Sequence, residues 1–236
     1  MKTLKEQVPN AEAEGIVADL GEFQCNHKKP VEIKNRKKSG TAEGAKITTE
    51  KLPDVDILVN NLGIYEAKAF EDITDEEWTN MFEVNVLSGV RLCRFYFPKL
   101  KAKNWGRIVF ISSESAQNIP VEMIHYGMSK LAQVAVARGL AESTSGTNVT
   151  VNSVLVGPTY SEGVKKFVKQ LAEGKGVSVE EVEKDFFQTT RPTSIIKRFL
   201  SEEEVANTVL FLSSPASSGT NGAAIRVDGG LLRNCI

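Results

Sequence analysis

The stretch that decides the fold is GRIVFISS, residues 106–113. It is an apolar run that ends in two serines. Continuous runs of Val, Ile and Leu are typical of strands that are buried on both faces of a sheet. Ser113 is therefore predicted to lie at the carboxyl end of a central strand, which is where open parallel sheets bind ligands.

Similar short runs alternate with amphipathic segments along the rest of the chain. Strands are predicted at 16–18, 55–59, 107–111, 149–156 and 223–227, and helices at 75–103, 126–142 and 201–212. This β-α-β-α order predicts an α/β fold with a parallel sheet, covered by helices through right-handed crossovers. Thr74 with Glu77, and Ser201 with Glu204, match the capping-box pattern at helix starts.

Composition restricts the class of protein. The 236 residues are 41% hydrophobic and 25% charged, with a formal net charge of -1, as expected for one globular domain over 1–236. A net charge this small does not attract the chain to nucleic acid. Cys25, Cys93 and Cys235 are too widely spaced for a zinc site or a disulfide framework, and no uncharged run is long enough for a membrane helix. A cytoplasmic protein with no metal is expected.

A tyrosine and a lysine stand one helical turn apart in the segment YGMSK, residues 126–130. This spacing places Tyr126 and Lys130 on one face of a helix. An unperturbed phenol has a pKa near ~10, and a neighbouring ammonium is expected to lower the pKa of Tyr126. The phenol would then be a usable acid and base at neutral pH.

Other polar residues are predicted to gather at the same edge of the sheet. The sequence NNLG, residues 60–63, closes the strand at 55–59, and Asn85 lies within a helical segment although Asn has poor helix propensity. Each has an ordinary structural interpretation: a turn, a helix cap, or a core Asn bonded to backbone. Their coincidence with Ser113 and Tyr126 favours a functional site.

From residue 55 onward the chain resembles the short-chain dehydrogenase/reductase family. NNLG resembles that family's N-N-A-G motif, and VGPT at 156–159 resembles the P-G segment beside the nicotinamide. VDGG at 227–230 resembles the family's C-terminal V-D-G-G. The resemblance implies that four residues form the family's catalytic tetrad, namely Asn85, Ser113, Tyr126 and Lys130.

The resemblance also implies a cofactor and a mechanism. A hydride would pass between NAD or NADP and a carbonyl or alcohol carbon of a small-molecule substrate, and Tyr126 would exchange the proton. Ser113 would hydrogen-bond the substrate oxygen, and Asn85 would help to hold a proton-relaying water. The implied cofactor-binding residues are Asp19, Leu20, Asn61, Gly63, Tyr126, Lys130 and Thr159. Family members commonly assemble as dimers or tetramers, so a homo-oligomer is expected.

The sequence departs from the family at its start. It has no glycine-rich T-G-x-x-x-G-x-G turn, and too few residues precede Gly15 for a βαβ unit. A Rossmann-like, doubly wound parallel sheet is therefore predicted, incomplete because the first βαβ unit is missing. Residues 16–19 are expected to pair with the strand at 55–59 or to attach loosely, with 31–34 as another edge strand.

Two segments carry separate interpretations. The lysine-rich run at 21–40 is interpreted as a basic insertion, or as sequence from an incorrectly spliced message, rather than as a nucleic-acid patch. Residues 161–191 are predicted to form a substrate lid. Three hypotheses remain for the whole chain: an active oxidoreductase, a non-catalytic interaction module unable to bind cofactor, and a fragment or faulty gene model.

Overall fold

The computed structural model describes residues 40–235, with side chains from Thr41 onward. The predicted strands at 16–18 and 31–34, the basic run up to Ser39, and Asp19 and Leu20 lie outside the described residues. The chain divides into two compact units, 1–53 and 54–236. The prediction of a single domain stays a prediction.

In the first unit the structure describes one helix, α1, at Gly40–Lys51. The backbone N–H of Leu52 bonds to the Thr48 carbonyl just past its end, so the helical hydrogen-bond pattern continues there.

The second unit contains a parallel sheet with four strands in the described residues. The strands are β1 (Ile57–Asn60), β2 (Gly106–Ser113), β3 (Val149–Val156) and β4 (Ala224–Val227), and they lie side by side in sequence order. All three pairings are parallel, and Ser113 is opposite Val156 in the register of β2 and β3. The predicted α/β, Rossmann-like fold is confirmed.

Helices connect the strands. They are α2 (Asp75–Phe82), α3 (Ser88–Lys103), α4 (Ile124–Glu142), α5 (Glu162–Lys175), α6 (Val179–Thr189) and α7 (Glu202–Ser213). The predicted capping boxes are present at Thr74 for α2 and at Ser201 for α7, and Ser178 forms a third at α6. A π-helical turn at Glu83–Leu87 joins α2 to α3 without a break.

Helices cover both faces of the sheet, as a doubly wound fold requires. On one face, residues of β1, β2 and β3 pack with α3 and α4 in a core that includes Leu58, Ile108, Phe110, Tyr96 and Leu100. On the other face, Val109 and Val154 pack against Leu212 of α7. Burial on both faces explains the continuous apolar character of β2 and β3.

The two helices α5 and α6 form a hairpin with a small core of its own. Val168 and Ala172 of α5 pack with Val182 and Phe187 of α6, and Phe199 completes the cluster. These side chains do not belong to the sheet cores. The hairpin, hereafter the 162–189 hairpin, is contacted by the segment that follows it: the Phe199 N–H donates to the Glu183 carboxylate, and the Lys197 Nζ donates to the Phe187 carbonyl.

Strand β1 is at the edge of the sheet in the part of the chain that the structure describes. Its burial alternates: Leu58 and Asn60 are buried, whereas Ile57 is 42% exposed and Val59 is 39% exposed. The central strands β2 and β3 are buried along almost their whole length, whereas β4, at the other edge, alternates exposed Ala224 and Arg226 with half-buried Ile225 and Val227. None of the helices in the described residues is long and apolar enough to cross a bilayer.

Candidate active site

The carboxyl ends of the parallel strands bring the predicted site residues to one rim of the sheet. Ser113 is the last residue of β2, the NNLG segment begins at the end of β1, and Thr159 follows β3. Helix α4 runs from this rim and presents Tyr126 and Lys130 one turn apart. The tertiary structure thus collects residues that lie up to about a hundred positions apart in sequence.

Lys130 is buried against β2. Only 6% of its surface is exposed, and its Nζ donates a hydrogen bond to the Ile111 carbonyl at 3.0 Å. The same Nζ lies 5.6 Å from the centre of the Tyr126 ring. The Ser112 hydroxyl donates to the Lys130 carbonyl at 2.8 Å, which ties the helix backbone to the strand.

Burial dominates the ionisation of this lysine. The loss of solvent lowers the pKa of Lys130 to about 8, because a charged ammonium is poorly hydrated there. A Cβ built on Gly63 would lie 3.3 Å from Nζ and 3.6 Å from Oδ1 of Asn85. A side chain at position 63 would therefore fill the space in front of the lysine.

The predicted lowering of the Tyr126 pKa is wrong for the protein as it stands. Burial raises the pKa of Tyr126, and the interaction with the Ser113 side chain only partly opposes this effect. The Glu114 carboxylate also raises it. Desolvation outweighs electrostatic help, since a buried phenolate loses its hydration while the Lys130 ammonium faces the ring and the Ile111 carbonyl.

Asn85 lies in the π-helical turn and is almost fully buried. Its Nδ2 donates to the Ile64 carbonyl at 3.0 Å and to the Ser129 hydroxyl at 2.8 Å, and its Oδ1 accepts from the Ile64 N–H at 2.8 Å. The Gln133 amide donates to the Asn85 carbonyl at 2.6 Å. Asn85 therefore holds the segment after β1 against α4. Its role in holding a water stays a prediction.

The remaining predicted cofactor residues differ in exposure. Asn61 and Gly63 are exposed at the rim, and the Thr159 hydroxyl donates to the Gly157 carbonyl at 2.9 Å. A Cβ on Gly157 would lie 2.7 Å from Cα of Asp228, so the two motifs that flank the rim touch backbone to backbone. The Asp228 carboxylate accepts hydrogen bonds from the Gly230 and Leu232 N–H groups.

Sequence reasoning missed a buried ion pair beside the tyrosine. Glu114 follows Ser113 directly, and its Oε1 accepts from Nε of Arg191 at 3.0 Å. A charged residue at the end of a buried strand was the available signal for Glu114. Nothing in the sequence indicated Arg191 as its partner, since the two are 77 positions apart.

Two aromatic residues lie near Tyr126: the sequence did not indicate Tyr65, and it did not decide the role of His125. Tyr65, which is 62% exposed, meets the Tyr126 ring edge-on with 6.3 Å between centroids. His125 is buried at the start of α4 beside Trp78, and its Nδ1 has no hydrogen-bond partner in the described residues. Desolvation lowers the pKa of His125. Within residues 40–235, no three His, Cys, Asp or Glu side chains group closely enough to hold a metal ion.

The chain is similar to known oxidoreductases. A family model described as enoyl-(acyl carrier protein) reductase matches residues 10–232. The uncharacterized oxidoreductase YvaG of Bacillus subtilis (strain 168) is 46% identical over 221 residues, which cover 94% of this chain and 84% of YvaG. YvrD of the same organism, also an uncharacterized oxidoreductase, is 51% identical over 184 residues, covering 78% and 70%.

A solved structure shares the fold. The L-sorbose reductase of Gluconobacter frateurii, crystallised with NADPH and L-sorbose, superposes with a TM-score of 0.75 at 28% identity, covering 83% of this chain and 73% of the reductase. The chain belongs to the short-chain dehydrogenase/reductase family, whose members among these relatives are oxidoreductases.

Proposed function

We propose that this chain is an NAD(P)-dependent oxidoreductase that interconverts a carbonyl and an alcohol on a small molecule, with Tyr126 as the acid and base. One observation carries the proposal: Ser113, Tyr126 and Lys130, from β2 and α4, converge at the carboxyl end of the sheet. Burying a lysine against a phenol lowers the stability of the fold, so a stabilising role does not explain this arrangement. Perturbed groups of this kind cluster at functional sites.

The residues at the rim fit the nicotinamide half of the cofactor. The space before Gly63 leaves the Lys130 Nζ approachable, and Oδ1 of buried Asn60 has no hydrogen-bond partner in the described residues. Tyr126 and Lys130 would hold the ribose, with Asn61, Gly63 and Thr159 beside the rings. Asp19 and Leu20 are proposed for the adenine. When bound, the nicotinamide supplies or accepts the hydride.

The side chains of this chain would handle the proton. Ser113 would donate a hydrogen bond to the substrate oxygen, and the Tyr126 hydroxyl would give its proton to that oxygen as the carbonyl is reduced, or take it back during oxidation. The Lys130 ammonium stabilises the resulting phenolate. Asn85 would keep a relaying water in place behind Lys130.

A homo-oligomer forms part of the proposal. An apolar groove of about 280 Å³ runs between α3 and α4 and is lined by Val90, Cys93, Arg94, Phe97, Pro98, Val136 and Leu140. We propose that a second copy of the chain covers it, as apolar side chains from two facing helix pairs can interdigitate.

The alternative function is a non-catalytic interaction module that keeps the fold. One observation favours it: burial raises the pKa of Tyr126, and the Lys130 Nζ donates to the Ile111 carbonyl, so the pair is not tuned for proton exchange at neutral pH. In that case the catalytic residues would survive without turnover.

Nucleotide titration separates the two functions. The full chain is titrated with NADH and with NADPH, with binding followed by nicotinamide fluorescence, and Tyr126→Phe is carried alongside. We expect saturable binding to both proteins. We also expect turnover of a carbonyl substrate to fall by about 10²–10⁴-fold in Tyr126→Phe, because the proton donor is gone. No saturable binding to a folded sample would reject the enzyme and support the module.

A further inference from the structure

The Glu114–Arg191 ion pair connects the end of the catalytic strand to the end of the 162–189 hairpin. Glu114 begins a short 3-10 turn directly after Ser113, and Arg191 follows α6 by two residues. The Glu114 side chain is 4% exposed and the Arg191 side chain 10% exposed. Arg191 also contacts Glu122, which is more exposed. In the other ion pairs of the described residues, both side chains are at least one-fifth exposed.

Arg191 is held from several sides. Its N–H bonds to the Phe186 carbonyl, its Nη1 donates to the Thr190 carbonyl at 3.0 Å, and the same nitrogen lies 3.6 Å from Oε1 of Glu122. The guanidinium thus has a fixed orientation relative to α6. A fixed guanidinium just after the hairpin that meets a fixed carboxylate just after β2 sets the distance between those two elements.

Burying this pair is a poor way to gain stability. An apolar pair of similar volume would serve the fold as well or better, since desolvation of both charges offsets their attraction. Oε2 of Glu114 even has no hydrogen-bond partner in the described residues. A charged pair is more directional than an apolar contact. It therefore suits a place where the position of the hairpin matters more than its stability.

The pair also lies beside the reacting phenol. The charges of both Glu114 and Arg191 act on Tyr126, the carboxylate raising its pKa and the guanidinium lowering it. Tyr65, which meets the same ring edge-on, reaches toward Gly163 at the start of α5, with its hydroxyl 3.8 Å from a Cβ built there. The two ends of the hairpin therefore border the space around Tyr126.

We propose that Glu114 and Arg191 are positioning residues, whose ion pair fixes the 162–189 hairpin in register over Ser113 and Tyr126 so that a substrate is gripped at the correct distance. The effect on substrate rests on the proposed oxidoreductase function, whereas the effect on the hairpin does not. Neither residue touches the transferred proton in this scheme.

Two variants test the pair, and one control variant is carried with them. Arg191→Met keeps an unbranched apolar stem and removes the charged guanidinium, and Glu114→Gln keeps the shape and removes the charge. Arg198→Met serves as the control, because Arg198 forms an exposed ion pair with Glu204 just beyond the hairpin. Arg191→Lys is the conservative variant: it keeps the positive charge but loses the planar guanidinium with its several N–H donors.

The first measurement needs no activity. Limited trypsin digestion of the full chain is followed at the hairpin lysines, Lys165, Lys166, Lys169, Lys175 and Lys184, by mass spectrometry. We expect cleavage there to be about ten times faster in Arg191→Met and Glu114→Gln than in the parent and in Arg198→Met, because local opening exposes the sites. Unchanged cleavage in both variants would overturn the proposal.

The second measurement separates positioning from simple support. We expect the KM for the carbonyl substrate to rise about tenfold in Arg191→Met, with kcat changed much less, nucleotide binding unchanged, and partial recovery in Arg191→Lys. Faster cleavage with a parent-like KM would also overturn the proposal. If Arg191→Met does not fold, Glu114→Gln decides by the same readouts. If the parent binds no nucleotide, the oxidoreductase function fails, and digestion alone decides whether the pair holds the hairpin.

Discussion

Lys130 and Tyr126 show how burial acts on single residues at this rim. Both are charged or chargeable groups removed from water, and burial shifts their pKa values toward the neutral forms, downward for the lysine and upward for the phenol. Burial therefore makes the ammonium and the phenolate that the proposed chemistry uses less favourable than they are in water, although Lys130 still carries its proton below about pH 8. A bound polar partner would favour both.

The first prediction at the residue scale concerns stability and pH. Below pH 8 the folded protein carries a buried ammonium at Lys130, and this costs free energy. Between about pH 8 and 10.5 the unfolded chain binds more protons at this residue than the folded chain, so its contribution to the free energy of unfolding rises with pH. Lys130→Met removes this dependence. We expect the stability advantage of Lys130→Met over the parent to shrink by about 3 kcal/mol from pH 7 to pH 10.5.

Urea unfolding at a series of pH values measures this difference. Other groups shift in the same range: burial raises the pKa of Cys93 to about 12, which weakens the fold as pH rises above 9. Such terms are common to the parent and the variant and cancel in the difference. Lys169→Met, on the exposed face of α5, controls for replacing any lysine. A pH-independent difference would show that Lys130 is not buried as a charge.

At the scale of elements, the π-helical turn between α2 and α3 is explained by the hydrogen bonds of Asn85. An extra residue in a helical turn shifts the side chain toward a neighbouring segment, and such turns occur often at functional sites. Here the shift lets Asn85 bond to both polar groups of the Ile64 backbone and to Ser129 on α4. The segment after β1 is held by this one side chain in the way a neighbouring strand would hold it.

The prediction at this scale is that Asn85→Ala loosens the segment after β1. The Ile64 N–H and C=O both lose their partner, and we expect a loss of about 3 kcal/mol in the free energy of unfolding, with faster hydrogen exchange at Ile64. Asn80→Ala is the matched control, because Asn80 is an exposed asparagine on α2. The control should be neutral or slightly stabilising, since Ala has the higher helix propensity. An equal loss in the free energy of unfolding in both variants would contradict the proposal that Asn85 holds the segment after β1.

For the whole molecule, the main feature is how unevenly the sheet is covered. Strands β2 and β3 are buried on both faces, whereas β1, which is at an edge of the sheet among residues 40–235, leaves Ile57 and Val59 partly exposed. Exposed apolar edges are prone to pair with other chains. The groove between α3 and α4 is a second apolar surface, and it is the surface proposed for a second copy of the chain.

The prediction for the whole molecule is that the α3–α4 groove forms the oligomer contact. We expect Val136→Asp to shift the chain toward the monomer in sedimentation velocity, because a carboxylate in a covered apolar groove loses its hydration. Leu131→Asp is the control on the same helix: Leu131 is 46% exposed and does not line the groove. Circular dichroism checks that both variants fold. Dissociation by Leu131→Asp alone would place the contact elsewhere.

The sequence alone determined the strand and helix order and two of the capping boxes, because apolar periodicity and cap chemistry are local properties that short segments carry in full. The i,i+4 spacing of Tyr126 and Lys130 is local in the same way, whereas the proposed tetrad as a set came from the resemblance to the family. Asn85 could be singled out in the same way, since its poor helix propensity conflicts with its helical surroundings.

Only the tertiary structure decided the sign of the Tyr126 pKa shift, the partners of Asn85 and the pairing of Glu114 with Arg191. Each depends on burial or on contacts between residues far apart in sequence. Spacing along a helix shows that an ammonium is near a phenol, but it does not show how much water both have lost. Desolvation is a property of the packed molecule, and here it is larger than the attraction that the sequence suggested.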